Sequence, residues 1–189
     1  MARKAGLTVD EPSDGIGVVA AARLAASQVG GWFRGRGEYG PRALGARSIV
    51  ARSDDVAVAE RVNRIKRREV WRPLAPAMSL STADRFEFGR DGMDFMVEAR
   101  WLDEGVRPGS IQGILHVDRS VRPLVVDVSG HPLADLLSGM LQLTGDSVIT
   151  NTSFNTEQEP IVGSPADALR TFLTSDLDFL VLDDVLISK

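Results

Sequence analysis

Residues 35–48 read GRGEYGPRALGARS, and the chain is organised around this loop. Trp32-Phe33 begins a short apolar strand that enters it, and Ser48-Ile49-Val50-Ala51 reads as a short buried strand that leaves it. Gly35, Gly37, Gly40 and Gly45 allow sharp turns and a close approach of backbone to a ligand. Arg42 and Arg47 carry permanent charge in a planar fork suited to phosphate or carboxylate oxygens. Glu38 can hold one of those guanidinium groups, and Pro41 stiffens the middle. With no Walker-type GK[ST], the loop reads as an anion cradle built from side chains as well as amides. The alternative is a surface turn with a solvated ion pair.

At 189 residues the chain is long enough for one domain with a substantial core. No apolar run approaches the ~18 residues of a membrane helix, and the start MARKAGLTVDEPSDG has no apolar segment of a secretory signal. The absence of cysteine excludes disulfide and thiolate chemistry and fits a cytoplasmic protein. His116 and His131 belong to no paired ligand pattern, so no metal site is expected. The net charge of −4 is unevenly spread: residues 34–72 hold a balance of +6, leaving −10 elsewhere. One basic segment in an acidic chain fits a pocket for a small polyanion better than a nucleic-acid surface.

Residues 1–13 read as a linker or disordered N-terminus before a domain spanning 14–189. Asp14 is a candidate cap for an Ala-rich helix from Ile16 to Gln28, and Asp54 or Asp55 for a second with Asn63 and Lys66 on one face. Pro73 and Pro76 force the stretch 72–78 to be extended. Ser81–Phe88 predicts a short helix, and Phe95–Trp101 a strand or helix. Ile111–Val117 and Leu124–Val128 predict strands. Pro132–Leu143 predicts a helix ended by Gly145, Ser147–Thr150 a strand, 164–173 a helix capped by Ser164, and Phe179–Ile187 a final strand. The alternation gives an α/β fold with a twisted, mostly mixed open sheet and flanking helices.

Polar clusters interrupt apolar elements at predicted strand ends: Arg42 with Arg47, Lys66 with Arg72, Arg119 with Arg122, and Asn151 to Asn155. If they converge, several cations face one anionic ligand, with Asn151, Thr152 and Ser153 as hydrogen-bond donors. Without a nucleophile and base pair, the fitting chemistry is transfer at a phosphoryl or carbamoyl centre. An Asx turn is the alternative for Asn151 and Asn155, and a helix-dipole role the alternative for Lys66, Arg67 and Arg68. Asp118 reads as the ion-pair partner of Arg122 or a magnesium ligand, and His116 as a core histidine or a ligand contact.

Taken in order, GRGEYGPRALGARSIVA, VNRIKRREVWRPLAPAM, HVDRSVRPLVVDV, VITNTSFNTEQEPIVGSPADAL and LDFLVLDD resemble the C-terminal domain of the carbamoyltransferase family of nodulation and antibiotic-tailoring enzymes. The resemblance runs from about Asp14 to Lys189. It implies a YrdC/Sua5-like domain that takes ATP, with Mg2+, and carbamoyl phosphate as substrates and forms a carbamoyl adenylate. It further implies an N-terminal Kae1-like domain, in cis or in trans, which carries iron and delivers the carbamoyl group to a hydroxyl of a small molecule. Carried over by motif, Lys66, Arg72 and Arg122 would be catalytic. Arg42, Asn151 and Ser153 would bind substrate or nucleotide, with Arg47, Glu38, His116 and Asp118 as further candidates. The chain departs from the family pattern where Arg119 follows HVD in place of glycine. A non-catalytic nucleotide- or RNA-binding module and an inactive fragment are the alternatives; no membrane partner is expected.

Overall fold

The computed structural model describes residues 6–89, 91–127, 130–157 and 159–189. Among these residues one mixed sheet runs in the order β1-β10-β9-β2-β3-β8-β4-β7. Its strands are β1 (Thr8–Asp10), β2 (Gly30–Phe33), β3 (Arg47–Ala51), β4 (Ala75–Ser79), β7 (Leu124–Val126), β8 (Val148–Ser153), β9 (Phe179–Leu182) and β10 (Val185–Ser188). A small ribbon pairs β5 (Arg100–Trp101) with β6 (Ser120–Val121). The β2–β9 and β4–β7 pairs are parallel and the other pairs antiparallel. The expected α/β class and mixed sheet are therefore present.

Helices cover both faces, which is why β2, β3 and β4 are buried at every position instead of alternating with water. In β3, Ile49 joins a core with Val62 of α2 (Val56–Ile65) and Phe172 of α5 (Pro165–Leu173). Val50, on the opposite face, joins a second core with Leu24 of α1 (Ile16–Ala25) and Leu136 of α4 (Ala134–Thr144). Helices α1 and α4 approach so closely that a Cβ on Gly17 would lie 2.5 Å from the Asp135 carbonyl carbon. No helix among the described residues is long and apolar enough to cross a membrane.

The caps follow the sequence with one exception. Asp55, not Asp54, caps α2 through the Ala57 amide at 2.8 Å, while Asp54 pairs with Arg52. Ser164 and Asp167 form a reciprocal capping box on α5, and Gly145 ends α4 at φ 79°. Helix α1 instead starts after Gly15 at φ 85°, without a side-chain cap, so Asp14 does not play that part. It also stops at Ala25, ahead of Gln28.

Other differences have local causes. Residues 8–10 of the expected linker pair antiparallel with β10 at the sheet edge. Residues 111–117 form no strand: Ile111 and Ile114, three apart, are both buried, and the amides of Ile114 and Leu115 turn back to the Ile111 carbonyl. In 95–101 only Arg100-Trp101 pairs, because Met96 turns inward at φ 54°. The stretch 179–187 is a hairpin whose turn contains Asp183 at φ 51°. The expected strand 124–128 is observed over Leu124–Val126, and Val128 lies outside the described residues. The short helix α3 spans Leu80–Arg85.

Candidate functional site

Pairing of Ser48 with Ser153 and of Ala75 with Asn151 brings the start of β3, the end of β8 and the start of β4 to one end of the sheet. The 34–46 loop, the 66–74 segment and the 152–157 segment all emerge there.

The glycine-arginine loop is held from inside. The Glu38 carboxylate accepts the backbone amides of Leu44, Ala46 and Arg47 at 2.6, 2.7 and 3.2 Å. Burial raises its pKa even though those amides and Arg47 pull it down. Arg47 is buried, stacks 3.5 Å from the Phe33 ring centroid, and donates to the carbonyls of Arg34, Gly35 and Ala46 at 2.8–3.0 Å. Both terminal nitrogens are thus committed to the loop backbone, and Arg47 lines none of the recesses described below. Glu38 likewise grips amides instead of a guanidinium side chain. Gly45 is required at φ 105°, where a Cβ would lie 2.7 Å from Leu133. Arg42, beyond these anchors, remains exposed.

Arg42 then meets the other cations. A recess of about 380 Å³ is lined by Arg42, Arg68, Arg72 and Arg122 together with His116, over a floor that includes Pro73, Leu74 and Ala75. Among the described residues no carboxylate lines it. A smaller recess of about 120 Å³ shares Arg42, Arg68 and Arg122 and adds Asn151, Thr152 and Ser153. Burial and the nearby Arg42 charge lower the Arg122 pKa, and the buried Arg122 Nε has no partner among the described residues. Arg68 is lowered to about 10 by burial and by Arg72, with Glu69 opposing. The Arg72 side chain makes a 3.6 Å contact with Glu69, both being half-exposed. Like charges gathered around one hollow repel one another and favour an anion. Arg68, which sequence reasoning left as a helix-dipole residue, thus joins the site; its signal was its place two residues beyond Lys66.

Lys66 lies in an adjoining recess of about 430 Å³ with Arg67, Arg68, Arg72, Ser153, Asn155 and Thr156, where Glu69 and Glu157 also face. Its Nζ donates to the Ser153 carbonyl and hydroxyl at 2.6 and 3.3 Å, and to the Asn155 carbonyl and Oδ1, each at 2.9 Å. Burial and the charges of Arg68 and Arg72 push Lys66 down from 10.5 to about 7. Ser153 Oγ donates to Asn155 Oδ1 at 2.7 Å, and Asn155 Nδ2 closes the turn on the Glu159 carbonyl at 2.8 Å.

The remaining candidates divide. Asn151 spends its amide on the Ala43 carbonyl at 2.8 Å and on the Met96 sulfur, so it is not the expected donor; its buried Oδ1 has no partner among the described residues. Asp118 accepts the Ser120 amide and hydroxyl at 3.0 and 2.7 Å, in place of the expected ion pair with Arg122. His116 Nδ1 lies 3.0 Å from Ser120 Oγ; burial lowers its pKa, Asp118 opposes this and Arg122 adds to it. His116 and Asp118 also line a more apolar groove of about 450 Å³ that includes Trp71, Pro73 and Val117. Arg119, at φ 62°, donates to the carbonyls of Leu102, Asp103 and Val106 at 2.7–3.0 Å, so it clips the neighbouring loop and lines none of these recesses. Among the described residues no group of three or more His, Asp or Glu side chains is placed to hold a metal ion.

The family model described as "Carbamoyltransferase C-terminus" matches residues 21–189. The chain belongs to this family. It is 39% identical over 185 residues to nodulation protein NolO of Bradyrhizobium diazoefficiens, covering 94% of this chain and 33% of that protein. It is 34% identical over 163 residues to the 3'-hydroxymethylcephem-O-carbamoyltransferase of Streptomyces clavuligerus, covering 85% and 30%. This carbamoyltransferase C-terminal chain therefore spans about a third of the length of these relatives. In fold it is similar to full-length HypF in a phosphate- and nucleotide-bound form (TM-score 0.63, 17% identity, 95% of this chain and 22% of that one). It is also similar to P. abyssi Sua5 complexed with L-threonine (TM-score 0.55, 15% identity, 88% and 46%). At these identities the likeness is one of fold.

Proposed function

We propose that this chain binds ATP and carbamoyl phosphate and forms a carbamoyl adenylate, as the C-terminal part of an O-carbamoyltransferase. The observation that carries the reading is the convergence of Arg42, Arg68, Arg72 and Arg122 on one recess that, among the described residues, no carboxylate lines. Kinship with a cephem O-carbamoyltransferase and the likeness in fold to a HypF solved with phosphate and nucleotide support it.

In balanced form, water cleaves carbamoyl phosphate to carbamate and phosphate. A carbamate oxygen then attacks the α-phosphorus of ATP, and the bond to the β-phosphate breaks to release pyrophosphate. Neither step requires a protein nucleophile. The chain's contribution is to position two anions and offset charge on the transferring oxygens. Arg42, Arg72 and Arg122 would hold phosphoryl oxygens. Lys66, through Ser153 and Asn155, would set the wall where the carbamoyl end lies, with Thr152 beside it and Asn151 Oδ1 as an acceptor for the carbamoyl amide. Magnesium would arrive chelated by the triphosphate. Transfer to a hydroxyl of a small molecule would fall to an N-terminal Kae1-like partner, and iron would belong to that partner.

Phosphate and pyrophosphate release by the purified chain tests the reading. Equal release that requires both ATP and carbamoyl phosphate is expected. Pyrophosphate release from ATP without carbamoyl phosphate would contradict it.

A further inference from the structure

The Ser120 hydroxyl fixes which nitrogen of His116 carries hydrogen. Ser120 Oγ lies 2.7 Å from Asp118 Oδ1 and 3.0 Å from His116 Nδ1, and the same carboxylate oxygen accepts the Ser120 amide at 3.0 Å. Those Ser120 bonds hold Asp118 below the usual carboxylate range, so it is ionised at neutral pH. A hydroxyl has one hydrogen to give, and an ionised carboxylate can only accept. The Ser120 hydrogen therefore goes to Asp118, and His116 Nδ1 must donate to Ser120 Oγ. In the neutral ring the lone pair is then on Nε2, which makes no hydrogen bond among the described residues.

The backbone holds the ring as well. The His116 amide donates to the Ser120 carbonyl at 3.0 Å and the Arg119 amide to the His116 carbonyl at 2.9 Å, closing a turn with Arg119 at φ 62°. Ser120 is 5% exposed, a buried prop and not a nucleophile. His131, the other histidine, is arranged the opposite way: its Nδ1 accepts the Leu133 amide at 3.1 Å, which puts its hydrogen on Nε2.

His116 lines the 380 Å³ recess with Arg42, Arg68, Arg72 and Arg122, whose guanidinium groups only donate. Among the described residues that line it, His116 is the one side chain able to accept a proton at neutral pH. The groove on its other side brings Asp118 and Glu60. Burial lowers the His116 pKa from 6.5, against the charge of Asp118 and with that of Arg122, so the ring is neutral at pH 7.

We propose that His116 Nε2 accepts the proton of the water that cleaves carbamoyl phosphate, with Ser120 and Asp118 as positioning residues that hold the required tautomer. This rests on the ATP and carbamoyl phosphate reading above, which places phosphoryl oxygens among the same arginines. The water oxygen bonds to phosphorus, the bond from phosphorus to the carbamate oxygen breaks, and carbamate leaves with that electron pair. One water proton passes to Nε2 and from there to solvent, while the other stays on the phosphate. Carbamoyl phosphate and water thus give carbamate, hydrogen phosphate and one proton.

Long-range proton–nitrogen NMR spectra of the ligand-free chain read the tautomers directly. His116 should carry its hydrogen on Nδ1 and His131 on Nε2. A neutral His116 with its hydrogen on Nε2 overturns the proposal whatever the activity. Phosphate release with ATP and carbamoyl phosphate is then followed in His116→Gln, which can still donate to Ser120 but cannot take a proton, and in His116→Ala. In both, kcat should fall on the order of 10²-fold with KM within about threefold of wild type. Imidazole should restore turnover to His116→Ala, and heavy-oxygen water should label the phosphate that the wild type releases. Turnover of His116→Gln within twofold of wild type overturns the proposal, as do unlabelled phosphate and a folded His116→Ala that imidazole does not rescue. If His116→Ala does not melt cooperatively, His116→Gln decides. A wild type that releases no phosphate with both substrates contradicts the functional reading as well, whereas turnover indifferent to His116 contradicts only the role of His116.

Discussion

Lys66 Nζ lies 2.6 Å from the Ser153 carbonyl oxygen. With the other three oxygens of Ser153 and Asn155, it ties the end of α2 to the turn after β8. Burial pushes its pKa to about 7 from 10.5. Below pH 7 it is charged whether folded or unfolded, and the folded state bears the cost of a buried charge. Between about 7 and 10.5 the unfolded chain binds the extra proton, so stability rises with pH. One linked proton is worth up to about 1.4 kcal/mol per pH unit in that window. Urea denaturation from pH 7 to 9 should show the rise in the wild type and lose it in Lys66→Met. Sulfate, which does not titrate there, should bind more weakly over the same interval.

Arg122 should separate function from stability. Its Nε is buried without a partner among the described residues, and the Arg42 charge faces it. Arg122→Gln removes a like-charge repulsion and no described ion pair. Unfolding free energy should stay within about 0.5 kcal/mol of wild type or increase. Carbamoyl-phosphate-dependent turnover should fall by roughly 10²-fold or more. Normal turnover with a lowered melting temperature would make Arg122 structural.

The recess was legible where one residue breaks the pattern of an otherwise apolar stretch. Arg72 before Pro73 in an otherwise apolar stretch has no packing reason, and it does line the recess. Arg42 and Arg47 look alike in the loop sequence. Only the packed structure separates them, because whether a guanidinium meets carbonyls or a hollow depends on Phe33 and on Glu38 gripping the Leu44, Ala46 and Arg47 amides. Helix α5 carried its own boundary signal in Ser164, Pro165 and Asp167. Residues 111–117 carried an apolar run that a strand or a buried turn satisfies equally. The close pass of Gly113 to the Asp55 backbone, a tertiary contact, accompanies the turn.

Glu38 predicts a loop-specific loss. Glu38→Ala strands three amides, and an unsatisfied buried donor costs about 1–3 kcal/mol. Because these amides lie beside a solvent-reachable loop, a total near the lower end, about 1–2 kcal/mol, is expected in chemical denaturation. Hydrogen exchange should quicken at Leu44, Ala46 and Arg47 while the β9–β10 hairpin keeps its protection.

Gly17 predicts a loss away from the site. Gly17→Ala places a Cβ 2.5 Å from the Asp135 carbonyl carbon, where the neighbour is backbone and cannot rotate aside. Overpacking of this kind costs about 1–3 kcal/mol. The melting temperature should fall, while pyrophosphate affinity below the transition remains that of the wild type.

The central claim, that the arginine recess supports adenylate formation, is tested most directly by ATP–pyrophosphate exchange with and without carbamoyl phosphate. The purified chain should exchange label from pyrophosphate into ATP only when carbamoyl phosphate is present, and Arg72→Ala and Arg122→Ala should abolish it. Wild-type exchange in both variants would contradict the assignment of the recess. A folded chain that shows no exchange, even with a family N-terminal domain added in trans, would contradict the function.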